Sequence, residues 1–366
     1  MARKLKSDKL LFLATLALVC ASVLMVYSAS AMLAMERYRQ PYLFLFKQLT
    51  WAVVGVFMLA AMMRIDYRNY RQPVVIWTSL IVVSLALVAV LFFPPINGTR
   101  RWFAVAGIGV QPSELAKLVA ILFIAALLER RMDRIDDPKY ALMPIGLLLV
   151  ILVGLIMLEP DFGTAVSILA IAAVMIFAAG LNYRYLVGAV LVMLPAAYVL
   201  IMRSPYRRRR IFAFLNPWAD PLGDGFQVIQ SLIAVGTGGV TGRGLMGGVQ
   251  KLFYLPEPHT DFIYAVIAEE FGLIGAVTVL VCFCIVAWRG LHVAVMAPDR
   301  FGAFLAVGLT MMVAIQAFIN MSVVLGLMPT KGIPLPFVSA GGSSLLINLL
   351  GMGILLNVSQ HATSDA

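Results

Sequence analysis

The sequence predicts an all-α integral membrane protein that crosses a bilayer about ten times, and two properties of the chain lead to this fold class. Of its 366 residues, 62% are hydrophobic and only 13% are charged, whereas soluble domains are about 45–50% apolar and about 25% charged. The apolar residues also lie in long runs, several of them near the roughly 20 residues that a helix needs to cross the hydrocarbon core. A soluble fold is therefore excluded, and the whole chain, 1–366, is predicted to form one transmembrane domain.

Each apolar run is predicted to be one spanning helix. The first run follows a basic start, as in a signal peptide, but it exceeds 20 residues, which favours an uncleaved first helix. The fourth run is the weakest, since it is short and contains Glu114 and Lys117. The ten runs cover residues 10–33, 44–63, 73–93, 113–129, 141–158, 163–181, 184–202, 262–288, 301–327 and 341–358.

The distribution of basic residues predicts the orientation of these helices. With the amino terminus inside, the short inside segments hold fourteen Lys and Arg residues and the short outside loops hold five. Basic residues favour the cytoplasmic side of a membrane. We therefore expect both termini in the cytoplasm and the long loop 203–260, between the seventh and eighth helices, outside.

The net charge of +10 does not indicate nucleic acid as a partner, because Lys and Arg that flank spans account for it. Cys20, Cys282 and Cys284 lie in apolar runs and are interpreted as apolar fillers, not as disulfides or metal ligands. The glycines of 236–248 do not match the phosphate-loop pattern, so ATP is not an expected energy source.

Ionisable residues in or near hydrocarbon are candidates for function, because they are costly unless they are paired or hydrated. Glu114 and Lys117 are three residues apart on a predicted helix and share a face. They either form a packing ion pair or line a polar cavity. Glu159 and Asp161 lie between two apolar runs with almost no loop. They either form a tight turn or line a substrate cleft.

A run of four arginines, Arg207–Arg210, follows the seventh predicted helix. Arginine forms bidentate hydrogen bonds with phosphate oxygens. The run therefore either anchors the chain to lipid headgroups or binds a phosphate or pyrophosphate group.

The end of the long loop contains several acidic residues. Asp261 lies where the loop becomes the eighth helix, near the interface at which a lipid would present a reactive headgroup. Glu257 and His259 lie within four residues of it and favour proton chemistry at this point. The other ionisable residues of this stretch are Lys251, Glu269 and Glu270.

Segment 328–346 joins the ninth and tenth runs and has an irregular composition, with three prolines, Lys331 and a Gly-Gly-Ser-Ser cluster that includes Ser343. Irregular backbone at membrane depth is tolerated only where it lies in protein or beside water. We expect this segment to pack against residues 203–261.

Six sequence blocks connect the chain to a known family. They are GTRRWF (98–103), QPSELAKL (111–118), EPDFGTA (159–165), FLNPWADPLGDGFQVIQSLIAVGTGG (214–239), QKLFYLPEPHTDF (250–262) and KGIPLPFVSAGGSS (331–344). In these blocks, which occur in order over nearly the whole chain, the sequence resembles the SEDS family (shape, elongation, division and sporulation). The sequence QKLFYLPE is more similar to the division members of this family than to its elongation members. Ala340 stands where the family usually has tyrosine.

The resemblance implies a ten-helix peptidoglycan glycosyltransferase of the bacterial cytoplasmic membrane. Such an enzyme polymerises lipid II, an undecaprenyl-pyrophosphate-linked disaccharide-pentapeptide, on the outer face of that membrane during septal cell-wall synthesis. It works with a class B penicillin-binding protein, which is a transpeptidase, and with other division proteins. The essential aspartate of the family matches Asp261, and a basic position in its last outside loop matches Lys331.

We therefore predict that Asp261 is the general base that removes the proton from the acceptor sugar hydroxyl. The pyrophosphate leaving group requires positive charge. A divalent cation such as Mg²⁺ or Mn²⁺ is an alternative source of that charge, although no metal-ligand spacing is present in the sequence. The predicted substrate-binding residues are Lys331, Arg101, Lys117, Glu114, Arg207, Arg208, Arg210, Glu257, His259 and Ser343.

Two other functions fit the same features. One is a transporter that flips lipid II, although the sequence has no ATP motif and no clear inverted repeat. The other is a scaffold that only positions the transpeptidase.

Overall fold

The computed structural model describes residues 7–96, 98–105, 108–135 and 137–362. In these ranges a β-hairpin, β1 (Phe103–Val105) and β2 (Ile108–Val110), precedes α4. All ten predicted runs are helical, which confirms the all-α class, and α8 and α9 lie within the long segment 203–260. The helices are α1 (Lys9–Tyr38), α2 (Leu43–Met62), α3 (Pro73–Val90), α4 (Pro112–Arg131), α5 (Met143–Leu158), α6 (Phe162–Ala178), α7 (Tyr183–Met202), α8 (Pro205–Leu215), α9 (Phe226–Gly238), α10 (Ile263–Val295), α11 (Arg300–Val324) and α12 (Gly342–His361).

Seven helices in the described ranges are long and apolar enough to cross a membrane, namely α1, α2, α3, α7, α10, α11 and α12. Helices α5 and α6 are shorter, with 16 and 17 residues. Helix α4 contains Glu114 and Lys117, both buried inside the bundle. The chain is therefore a multi-spanning membrane protein, and the number of ten crossings stays a prediction.

Proline and aspartate residues set where the helices around the site begin. Pro112 occupies the first turn of α4, where its missing N–H is not needed. Asp161 caps α6, since its Oδ1 accepts a hydrogen bond from the Thr164 N–H at 3.2 Å. Asp299 caps α11 through the Gly302 N–H at 2.8 Å. These side chains satisfy N–H groups that the first turn of a helix leaves unpaired.

Helices α4, α11 and α12 form the centre of the bundle, and most of their residues are buried. Helices α1 and α2 pack against α10 and α12, and α5 and α6 pack on the side of α4 and α11. Helix α7 differs, because none of its described side chains is buried. A helix of this hydropathy with so few protein neighbours has its surface in lipid.

Helix α10 is broken at Gly272, whose φ of 63° lies in the left-handed region. The break leaves backbone N–H groups without helical acceptors. The Leu273 and Ile274 N–H groups donate instead to the carbonyls of Gly239 and Val240 at 2.9 and 3.2 Å. The loop after α9 thereby satisfies the break, which is the condition for irregular backbone at membrane depth.

The first and last described parts of the chain lie at the same end of the bundle. Asp8 pairs with Arg289 near the end of α10, and the Asp8 N–H donates to Ser359 Oγ near the end of α12 at 3.1 Å. Asp261 immediately precedes α10. These parts of the chain and Asp261 are therefore separated by almost the whole length of that helix.

Candidate active site

The backbone around Asp261 is fixed by the segment that joins α11 to α12. The carbonyl of His259 accepts a hydrogen bond from the Ala340 N–H at 2.8 Å. The carbonyl of Thr260 accepts one from Ser339 Oγ at 2.6 Å. The expected packing of this segment against the end of the long loop is therefore present.

The side chain of Asp261 lies directly against the backbone of Gly332. A Cβ atom at position 332 would be 2.9 Å from Asp261 Oδ2. Such a distance is too short for a carbon–oxygen contact, so a larger residue would displace the carboxylate. Glycine at position 332 leaves the space that the Asp261 carboxylate occupies.

The carboxylate of Asp261 makes no direct hydrogen bond within the part of the chain that the structure describes. Residue Asp261 as a whole is half-buried. Burial, with the negative charge of Glu257, raises the pKa of Asp261 to about 7, while Arg210 and Arg101 act in the opposite direction. A carboxyl group with a pKa near neutrality is suited to accept a proton.

Two cations lie over the ring of Phe162, the first residue of α6. Lys331 Nζ is 4.5 Å from the centre of the Phe162 ring, and the Arg207 guanidinium carbon is 5.4 Å from it. Burial lowers the pKa of Lys331. Cation–π contacts hold the two charges without neutralising them.

Helix α8 presents only one side of its arginine run to the site. Arg207 and Arg210 are three residues apart and share a face, and Arg210 donates to the carbonyl of Thr330 at 2.9 Å. Arg208 points elsewhere and is exposed. The structure therefore brings two of the three predicted arginines of this run to the segment that carries Lys331, and it leaves Arg208 outside.

Arg101 lies between α3 and β1, and its side chain contacts the turn between α5 and α6. Its Nε donates to the carbonyl of Glu159 at 2.8 Å, and its Nη2 donates to the carbonyl of Pro160 at 2.5 Å. The Glu159 carboxyl is fully buried, and neither of its oxygens has a hydrogen-bond partner among the described residues. Burial, with the negative charge of Asp161, raises the pKa of Glu159 to about 8. Glu159 is then mainly protonated at pH 7, and it leaves the positive charge of Arg101 available.

Asp161 has the structural role that the sequence left open. In addition to the α6 cap, its Oδ2 accepts hydrogen bonds from Gln111 Nε2 at 2.9 Å and from Thr164 Oγ1 at 2.8 Å. These bonds join the start of α6 to the residue before α4. The turn is thereby fixed beside the Arg101 contacts.

Glu114 and Lys117 form a buried ion pair with a separation of 3.0 Å. Lys117 Nζ also donates to Gln316 Oε1 of α11 at 2.8 Å. Gln316 Nε2 in turn donates to the carbonyl of Pro334 at 3.0 Å. The pair, which we predicted as substrate-binding, supports the 328–346 segment from behind, and its side chains are only 3–4% exposed.

The other predicted substrate-binding residues differ in position. Glu257 is exposed and close enough to act on the pKa of Asp261. The His259 ring is buried against Phe44, with 4.9 Å between ring centroids. Ser343 is buried in the first turn of α12, and its Oγ has no partner among the described residues. No described contact joins His259 or Ser343 to the Asp261 carboxylate.

A second group of charges lies farther along the same loop and is fully paired. Lys251 Nζ binds Glu270 and donates to Ser28 Oγ of α1 at 2.8 Å. Ser28 Oγ donates to Glu270 Oε1 at 2.6 Å. Glu269 accepts the Val249 N–H at 2.8 Å. We call Ser28, Lys251, Glu269 and Glu270 the buried ion cluster, and it fixes the loop to α1 and α10.

Sequence reasoning missed the amide side chains that support the site. Gln316 and Asn320 are four residues apart on α11 and share a face. Both lie inside an apolar run, where a polar side chain is costly unless it is hydrogen-bonded. That spacing of amides in the ninth run was the signal that could have found them.

The described residues contain no group of three or more His, Cys, Asp or Glu side chains that could hold a metal ion. The charges that act on the pKa of Asp261 include the cations Arg101 and Arg210, and Lys331 precedes Gly332, whose backbone lies against the Asp261 carboxylate. These residues do not form a protein cage for a divalent cation. We therefore derive no chemical step through a metal.

The fold and the site together define a class of membrane protein. A helical bundle places at one end a carboxylate without a direct hydrogen bond from the described residues, under the influence of both acidic and basic side chains. Within this class, the FtsW/RodA/SpoVE family of cell cycle proteins matches residues 8–364, and the chain belongs to this family.

The curated relatives agree with the family. The probable peptidoglycan glycosyltransferase FtsW of Geobacter metallireducens is 44% identical over 96% of this chain and 94% of its own length. Stage V sporulation protein E of Bacillus subtilis is 42% identical over 98% of this chain and 99% of its own length. The resemblance read from the sequence blocks is thereby confirmed.

Solved structures share the fold. One is a chain of a peptidoglycan synthase complex that coordinates polymerization and crosslinking, with a TM-score of 0.80, 31% identity and coverage of 98% of this chain and 99% of that chain. Another is the rod shape determining protein RodA of Thermus thermophilus, with a TM-score of 0.72, 28% identity and coverage of 98% of both chains.

Proposed function

We propose that this protein is a peptidoglycan glycosyltransferase that polymerises lipid II into glycan strands during septal cell-wall synthesis. The observation that carries the proposal is the carboxylate of Asp261, which bears no direct hydrogen bond from the described residues and has a pKa near neutrality that Glu257 raises and that Arg101 and Arg210 lower. The names of the curated relatives and the shared fold support the same reaction.

In the proposed reaction, Asp261 accepts the proton of the acceptor sugar 4-hydroxyl. The hydroxyl oxygen attacks the anomeric carbon of the donor, and a new glycosidic bond forms. The bond between that carbon and the pyrophosphate oxygen breaks, and the lipid pyrophosphate leaves with the electron pair. General-base catalysis of this kind contributes about 10²–10⁴-fold to the rate.

The leaving pyrophosphate gains negative charge, which Arg101, Arg207, Arg210 and Lys331 stabilise. Lys331 and Arg207 keep their charge on Phe162, and Arg101 binds only backbone carbonyls through the contacts described above. Oriented cations in a partly dry site stabilise a developing anion more strongly than they would in water. A divalent cation, Mg²⁺ or Mn²⁺, would reach the site with the pyrophosphate, since magnesium is commonly bound through substrate phosphates.

The proposed sidedness follows the charge bias of the loops. Both termini lie in the cytoplasm, and Asp261 lies on the outer face of the bacterial cytoplasmic membrane. The pairing of Asp8 with Arg289 supports this arrangement, because it places the amino terminus at the end of α10 that is remote from Asp261. The likeness to a chain of a peptidoglycan synthase complex supports a class B penicillin-binding protein as the partner.

A polymerisation assay tests the proposal. The purified chain is supplied with lipid II in detergent, with and without its cognate transpeptidase, and glycan strands are separated by length. Glycan that depends on Asp261 supports the proposal. Lipid II transfer between two compartments without glycan would identify a flippase instead, and a chain with neither activity would be a scaffold.

A further inference from the structure

Asn320 occupies a position between the two segments that form the site. It lies on α11 and is 2% exposed. Its Nδ2 donates to the carbonyl of Asp261 at 2.8 Å and to the carbonyl of Ile333 at 2.7 Å. One amide group therefore binds the residue that bears the carboxylate and the segment that bears Lys331.

The orientation of this amide is determined by its partners. Both hydrogens of the Asn320 NH₂ group are directed at carbonyl oxygens, and its Oδ1 has no partner among the described residues. A flipped amide would place Oδ1 against the same two carbonyl oxygens and lose both bonds. The donor of two hydrogen bonds cannot be replaced here by an acceptor.

Asn320 also connects the two segments that meet where the Asp261 carboxylate lies against Gly332. The Asp261 carboxylate lies so close to Gly332 that a Cβ at that position would be 2.9 Å from Oδ2. Gly332 lies between Lys331 and Ile333, and Asn320 binds Ile333 and Asp261 together. A change at Asn320 would therefore alter the separation between the carboxylate and the backbone next to Lys331.

Gln316, one turn earlier on α11, gives a natural comparison. Its Nε2 donates to the carbonyl of Pro334 at 3.0 Å, and its Oε1 accepts from Lys117. Gln316 thus supports the same segment, and its hydrogen bonds within the described residues do not reach Asp261. The two amides differ in whether they reach the residue that bears the carboxylate.

We infer that Asn320 is a positioning residue that holds the Asp261 carboxylate in register with the Lys331 segment. The inference rests on the proposed function, since it assigns Asn320 to the same reaction. A misplacement of about 1 Å can lower the rate of a reaction about 10²-fold.

The test uses Asn320→Leu in the full chain, with Gln316→Leu as the matched control. We expect Asn320→Leu to lower kcat of lipid II polymerisation by about 10–100-fold and to change KM by less than about threefold, because the cations that bind the pyrophosphate are retained. Gln316→Leu is expected to have a several-fold smaller effect on kcat. Asn320→Ser, which is smaller and keeps one donor, should fall between wild type and Asn320→Leu and replaces it if the leucine variant does not fold.

Hydrogen–deuterium exchange of the purified chains gives a readout that does not depend on activity. Asn320→Leu should speed exchange in 257–266 and in 331–340, whereas Gln316→Leu should speed it only in 331–340. A kcat within twofold of wild type, or unchanged exchange in 257–266, would overturn the inference. If the wild-type chain makes no glycan, the proposed function fails, and exchange alone decides whether Asn320 holds the two segments together.

Discussion

The end of the long segment 203–260 and the start of α10 contain two groups of charges that differ in how they are paired. In the buried ion cluster, the side chains of Lys251 and Glu270 are 3% and 0% exposed, and each has hydrogen-bond partners that match its charge. At Asp261, ten residues farther on, the carboxylate has no direct hydrogen bond from the described residues, and Lys331 has an aromatic ring as its neighbour.

The number of partners of a buried charge indicates whether that charge stabilises the fold or is available for the reaction. The interactions of a paired and hydrogen-bonded charge stabilise the fold, and removing its partner leaves an uncompensated ion. A charge with few partners is available to a ligand, and burial shifts its pKa toward neutrality. We therefore expect substitutions in the first group to affect stability and substitutions in the second to affect activity.

Asp261→Asn should have the largest effect, and the effect should be on activity alone. The amide keeps the size of the carboxyl but cannot accept the proton, so the polymerisation rate should fall about 10²–10⁴-fold. The unfolding temperature should be no lower than that of the wild type, because a charge in a partly dry site is replaced by a neutral group. A variant that polymerises at the wild-type rate would remove Asp261 from the reaction.

Lys251→Met should give the opposite result. It leaves the carboxylate of Glu270 buried without its cation, and breaking a buried pair costs about 3–5 kcal/mol. Thermal unfolding in detergent measures this loss, and the double variant Lys251→Met/Glu270→Gln should recover part of it. Lys331→Met is the matched control, since it removes a lysine that has no ion pair in the described structure. It should lower activity while leaving the unfolding temperature nearly unchanged, and equal destabilisation by both substitutions would break the comparison.

Glu159→Gln should raise stability in a pH-dependent way. The pKa of Glu159 is about 8 in the folded chain and 4.5 in its ordinary state, so the unfolded chain loses this proton first as the pH rises. Stability of the wild type therefore falls between pH 4.5 and 8. The glutamine variant lacks this loss and should be more stable at pH 8 by about 1–3 kcal/mol, a part of the total that the pKa difference between the folded and unfolded chain represents at roughly 1.4 kcal/mol for each unit. Equal unfolding temperatures at pH 5 and a difference at pH 8 would support the assignment.

The charges around Asp261 should shift the pH dependence of the reaction in opposite directions. With a pKa of about 7, Asp261 becomes active as the pH rises through neutrality, so kcat/KM should have an acid limb there. Glu257→Gln removes a negative charge that raises this pKa, and the limb should move down by roughly 0.5–1 unit. Arg210→Gln removes a positive charge that lowers it, and the limb should move up by a similar amount. Shifts of the same sign in both variants would contradict Asp261 as the titrating group.

The sequence by itself determined the class of the protein and predicted the place of its chemistry. Apolar runs of near-bilayer length leave few alternatives to membrane helices, because backbone polar groups in lipid must be satisfied within the segment. Ionisable residues between such runs are costly, so Asp261 and Lys331 stood out against a hydrophobic background. The length of the runs also predicted all ten helices that the structure has at those positions.

Only the tertiary structure decided which charges belong together. A buried charge binds partners on other helices, and sequence spacing does not contain these distances. Lys117 binds Gln316 of α11, and Lys251 binds Ser28 of α1. Arg208 lies on a different face of α8 from Arg207 and Arg210 and is exposed. The His259 ring packs against Phe44 and does not contact the Asp261 carboxylate. The role of Asn320 depends on two carbonyls that are 59 and 13 residues away, so it exists only in the folded chain.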